Sequence, residues 1–86
     1  MDELQNLRRT IDLIDQTILQ SFASRMQIST EIGKLKKANN LETTDPTREQ
    51  QMQEKWITEG EQYGLSKEFI TELLTLTLKA SKENQS

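Results

Sequence analysis

Between residues 4 and 35 the chain reads LQNLRRTIDLIDQTILQSFASRMQISTEIGKL. Apolar side chains fall at Leu4, Leu7, Ile11, Ile14 and Ile18, and again at Ile28, Ile32 and Leu35. Steps of three and four lay a single apolar stripe along an α-helix. No Pro or Gly interrupts it before Gly33. The spacing therefore predicts one helix over residues 2–38, some 50 Å long at about 1.5 Å per residue. Two shorter helices cannot cover a stripe of that length, so a second copy of the chain is its natural cover.

Working outward, residues 38–44 are polar and carry Asn39 and Asn40, a loop composition. Asp45-Pro46 reads as a helix start, with Asp45 as N-cap and Pro46 in the first helical position. A second helix over 46–63 carries Met52, Trp56 and Tyr63 on one side and stops near Gly64. Ser66 caps a third helix over 66–82, with Leu65 and Ile70 at the spacing of a hydrophobic staple. Leu73, Leu74, Thr77 and Ser81 continue its inner face, and residues 82–86 are polar enough to fray. The fold class is all-α, one long N-terminal helix plus two shorter ones in a single domain, 1–86.

Composition narrows the chemistry. With 86 residues and 33% apolar content the core is thin, and a domain this small buries only about 60% of its unfolded surface. The chain has no Cys and no His, which removes thiol chemistry, disulfides, most zinc sites and a histidine base. The opening Met1-Asp2-Glu3 does not read as a signal peptide, so none is expected, and no run approaches a membrane span. A net charge of −3 without a basic face argues against nucleic acid. The expected compartment is the cytoplasm, with which the lack of Cys is compatible.

The stripe breaks at a revealing place. Continued from Ile18, its next inward positions are Ser21 and Arg25. A buried unpaired guanidinium costs several kcal/mol and calls for an anion; the alternatives are a local ion pair or an Arg that snorkels to solvent. Lys36 lies eleven residues, close to three turns, beyond Arg25 and points the same way; taken alone, a lysine in such a run is more often solvated. Arg8 flanks the stripe and could simply pair with Asp12. It stands about 42 Å from Lys36 on the same helix, so the two can share a site only in an antiparallel dimer. In the Asp45-Pro46-Thr47-Arg48-Glu49 turn, Asp45 and Glu49 suit the positive end of the dipole, whereas Arg48 makes more sense facing an anion. Ser81 and Gln85 share one face of the third helix, with plain surface polarity as the alternative for Gln85.

Taken together, these motifs resemble the all-α chorismate mutase family. The likeness runs from Leu7 to Gln85 without a gap, through Leu7-Arg8, Ile11-Asp12, Ile14-Asp15, Arg25-Met26, Ile32-Gly33-Lys34 with Lys36, Asp45 to Gln50, Gly64-Leu65 and Phe69-Ile70. The resemblance implies an intertwined homodimer, a six-helix bundle with two equivalent sites, that rearranges chorismate to prephenate without cofactor or metal. It implies that Arg8, supplied in trans, and Arg25 clamp the substrate carboxylates, and that Lys36 and Gln85 donate to the ether oxygen. It further implies that Glu49 binds the ring hydroxyl beside Asp45, and that Arg48 and Ser81 complete the pocket. Ser21 and Gln53 depart from the aliphatic residues expected there. The rival readings are an isochorismate-pyruvate lyase on the same fold, a mutase-like regulatory module and a plain dimerisation module. Whether the chain stands alone or belongs to a fusion is not readable from it.

Overall fold

A computed structural model describes residues 2–85, all of whose regular elements are helices. Helix α1 spans Asp2–Ala38, α2 Pro46–Gln62 and α3 Lys67–Gln85. The ends of α1 and α2 and the starts of α2 and α3 have local causes. Asp45 is extended (φ −131°) and its carboxylate accepts the Arg48 N–H at 3.1 Å, while Pro46 opens α2. The Ser66 hydroxyl accepts the Phe69 N–H at 3.1 Å and so caps α3. Two helices end in the same way. After α2, Gly64 takes φ +83°, the Leu65 N–H reaches the Gly60 carbonyl and the Gly64 N–H reaches Glu61. After α1, Asn40 takes φ +56°, and Leu41 and Asn40 bond back to Lys36 and Lys37. These are Schellman stops, with asparagine standing in for glycine at the second.

Packing is uneven. Helix α3 lies against both α1 and α2, whose backbones do not approach each other closely. Among the described residues the buried apolar ones are three, Met52, Ile70 and Leu74, all on α2 and α3. Gly60 gives α3 its close approach to α2, since a Cβ there would fall 2.8 Å from Cγ1 of Ile70. On α1 every residue from Asp2 to Ser21 is exposed. Leu7, Ile11 and Ile14 remain 59%, 56% and 53% accessible. The radius of gyration, 16.3 Å, exceeds the roughly 12 Å expected of a compact chain of this length. No helix among the described residues is long and apolar enough to cross a membrane.

Two details differ from the sequence reading. Helix α2 stops at Gln62, and Tyr63, expected within it on the side of Met52 and Trp56, is its C-cap and 82% exposed, because the helix has ended before it. Helix α3 begins at Lys67, after its cap, and does not fray at Lys82 but continues to Gln85, whose side chain is tied to α1. The Ile28, Ile32 and Leu35 stripe, for which a second copy of the chain is the expected cover, does not face α3. These residues are 55%, 41% and 64% exposed, and the row that meets α3 is one position further on.

The caps are small and testable. Ser66→Ala removes one N-cap acceptor and is expected to cost about 1 kcal/mol. In a domain of this size that lowers the melting temperature by about 4–8 °C in a thermal scan. An unchanged melting point would show that the Ser66 cap adds nothing to α3.

Candidate functional site

The C-terminal half of α1, the first turns of α2 and the last turns of α3 enclose a cleft of about 380 Å³. Arg25, Ser29 and Lys36 come from α1, Asp45, Arg48 and Glu49 from the start of α2, and Ser81, Lys82 and Gln85 from α3. Ile28, Ile32, Met52 and Leu78 supply apolar wall between them. Seven of the eight residues singled out in the sequence therefore meet in one place. The eighth, Arg8, does not: it is exposed on the far half of α1, seventeen residues from Arg25 and so about 25 Å away along the axis. Nor does it pair with Asp12; its neighbour Arg9 donates instead to the Asn6 side chain at 3.3 Å.

Arg25 is held on two sides. Its Nη1 donates to Ser81 Oγ at 2.6 Å, and its Cζ sits 5.9 Å from the centroid of the Trp56 ring, a cation–π distance. Desolvation, and secondly the positive charge of Arg48, lower its pKa below the ordinary arginine value. Both causes act against the charged form, and a bound anion would oppose both. Among the described residues no carboxylate forms a salt bridge with Arg25, Lys36 or Arg48. The two acidic groups in the cleft are engaged elsewhere. Asp45 caps α2, and Glu49 pairs with Lys82 at 3.1 Å, tying α2 to α3.

Lys36 donates to the Thr43 carbonyl at 2.8 Å and to Gln85 Oε1 at 2.7 Å. Gln85 Nε2 donates in turn to Ser29 Oγ at 3.3 Å. An ammonium has three donors and a carboxamide two, so one N–H remains on each, on groups already in contact. Sequence reasoning missed Ser29, Thr43, Lys82 and the ring of Trp56 as parts of this site. A signal for Ser29 was present: Arg25, Ser29 and Gly33 recur every four residues, which places them in one row on the helix.

What the arrangement can do follows from its inventory. Two guanidiniums and an ammonium without carboxylate partners surround a small, partly apolar cleft, which suits a compact organic anion with more than one carboxylate. Fixed N–H donors beside it can hold charge that develops on an oxygen. Among the described residues no group of His, Cys, Asp or Glu is placed to hold a metal ion.

Comparison with known proteins agrees in kind. A family profile described as "Chorismate mutase type II" matches residues 7–86. The T-protein of Haemophilus influenzae is 31% identical over 86 residues, all of this chain and 23% of that protein. The bifunctional chorismate mutase/prephenate dehydratase of Escherichia coli K12 is 32% identical over 75 residues, 87% of this chain and 19% of that protein. The protein of the same description from Buchnera aphidicola subsp. Acyrthosiphon pisum is 35% identical over 78 residues, 91% of this chain and 20% of that protein. The chain thus spans about a fifth of the length of these curated relatives.

Arg25 stands in a helix row that an aliphatic residue would fill at less electrostatic cost. Arg25→Leu is expected to melt no lower than the parent chain, because it removes a desolvated cation without a carboxylate partner. It should at the same time lose binding of small dicarboxylates, read by calorimetry. A clear fall in melting temperature would mean that the Ser81 and Trp56 contacts hold the fold, and that Arg25 is structural.

Proposed function

Since the chain belongs to the chorismate mutase type II family, we propose that it is a cytoplasmic, homodimeric chorismate mutase that rearranges chorismate to prephenate in the cleft just described. The observation that carries the reading is the pair of adjacent uncommitted donors, one on Lys36 and one on Gln85. The reaction is a pericyclic shift. The ether C–O bond breaks as a C–C bond forms, and no proton moves. It needs a flexible dianion held in a compact geometry, which is positioning, and donors at the ether oxygen where negative charge grows, which is electrostatic stabilisation. Lys36 and Gln85 supply those donors. Arg25 binds one carboxylate with help from Arg48 and Ser81, and Glu49, near Asp45, receives the ring hydroxyl. None of these steps calls on a cofactor.

The second carboxylate requires Arg8 of the partner subunit. Two observations support the dimer. The apolar stripe of the first half of α1 is exposed, with Leu7, Ile11, Ile14 and Ile18 all at least 46% accessible. Covering it with the same stripe of an antiparallel copy contributes the burial that the thin core of Met52, Ile70 and Leu74 lacks. The same pairing brings Arg8 of the partner subunit toward Arg25 and Lys36, so that one association event covers the stripe and completes each site.

Purified protein mixed with chorismate should produce prephenate at the rate substrate disappears, with EDTA or without. Well-folded protein that gives no conversion above the uncatalysed background rejects the reading.

Shared sites are tested by complementation. Arg8→Ala and Lys36→Ala should each be nearly inactive, whereas an equimolar mixture refolded together should recover about a quarter of the parental activity, half the dimers being mixed and half of their sites intact. No recovery in proven heterodimers means that each site belongs to one chain.

A further inference from the structure

Among the 37 residues of α1 only two are buried, Ser29 and Gly33. They lie one turn apart on the face that meets α3, and both meet Gln85. At Gly33 the contact is with backbone. A Cβ there would stand 2.6 Å from the Gln85 Cα and 2.7 Å from its carbonyl oxygen, so no side chain fits without moving the end of α3. At Ser29 it is with the amide. Ser29 Oγ donates to the Ser81 carbonyl at 2.9 Å and accepts from Gln85 Nε2 at 3.3 Å.

The donor count fixes the sense of this chain. The Lys36 ammonium can only donate, so the oxygen of the Gln85 amide must face it, at 2.7 Å. The amide nitrogen then faces Ser29, whose own proton is already used on the Ser81 carbonyl. With the Lys36 bond alone the amide could swing about that contact. The second anchor at Ser29 sets its plane and leaves one N–H in a determined direction beside the free donor of Lys36.

We infer that Ser29 and Gly33 are positioning residues for the reaction. Gly33 admits the backbone of Gln85 to the cleft wall, and Ser29 locks the sense and plane of its amide. The inference rests on the mutase reading above, since it assigns Ser29 and Gly33 to the geometry of a donor that acts in that reaction. Neither residue touches the reacting atoms. A role in packing alone would make the same two residues small, and the two cases separate in a double-mutant cycle.

Ser29→Ala in the parent chain should lower kcat about 3- to 10-fold with little change in KM, the range of one neutral hydrogen bond. In a Gln85→Ala background the same substitution should leave kcat nearly unchanged, because the group it positions is gone. Equal factors in the two backgrounds overturn the proposal. Gly33→Ala should lower kcat by about 100-fold, the effect of a misplacement of about 1 Å, and likewise lose most of its effect in the Gln85→Ala background. If circular dichroism shows that Gly33→Ala is unfolded, the Ser29 cycle decides. A readout independent of turnover completes the test. The side-chain amide protons of Gln85, followed by ¹⁵N NMR, should shift and exchange faster in Ser29→Ala, and an unchanged signal overturns the inference. A chain that does not turn over chorismate yet shows the Ser29-dependent signal keeps the seat and rejects the reaction. A chain that turns over chorismate with additive factors does the reverse.

Discussion

A helix of 37 residues accompanied by helices of 17 and 19 cannot be covered by its own chain. Almost every other property of this structure follows from that mismatch. Helix α3 reaches α1 only over its C-terminal half, so the burial that α1 achieves is confined there, at Ser29 and Gly33. The cleft forms where three helix ends converge, and the free half of α1 is left with a stripe that water covers poorly. Fold and site are thus separated along a single helix. One half carries the polar residues of the cleft, and the other carries apolar surface and Arg8.

The cleft owes its character to which charges are matched and which are not. Acidic side chains outnumber basic ones in the chain, 14 to 11, yet the carboxylates nearest the cleft are occupied, Asp45 with a backbone N–H and Glu49 with Lys82. Arg25, Arg48 and Lys36 remain without carboxylate partners. A site of this kind is destabilised by burial of its cations, and secondly by their mutual repulsion, until an anion enters; both lower the pKa of Arg25. That internal conflict supports the proposed binding of an anion, since a purely structural arrangement would be expected to place a carboxylate beside each guanidinium.

Much of this was legible in the sequence, and the limits are instructive. The 3-4 spacing from Leu4 to Ile18, Asp45-Pro46 before α2 and Gly64 after it are local signals, and local physics decides them. Arg25 stood out because a charge replaced an aliphatic residue in a stripe. Ser29 did not stand out, because a serine in a helix is unremarkable until one knows what faces it, and Ser81 and Gln85 lie more than fifty residues away in the chain. The same long-range contact explains why α3 runs on to Gln85. Residues 82–85 are polar and read as a fraying end, but their order comes from bonds to Lys36 and Ser29 that composition cannot display. Tyr63 failed in the opposite sense: its periodicity was right, but the chain had already left the helix.

The two connections between helices differ in what they are free to become. Residues 63–66 turn the chain from α2 into α3 by a Schellman stop and a serine cap, and none of them lines the cleft. Residues 39–45 also run from a stop to a cap, but in passing they present the Thr43 carbonyl to Lys36 and contribute wall to the cleft. A change of length in the first connection alters only surface. A change of length in the second shifts the acceptor that holds a lysine in place, and with it the register of α2 against the cleft. Evolutionary insertions and deletions should therefore collect between α2 and α3, while the connection between α1 and α2 keeps its length.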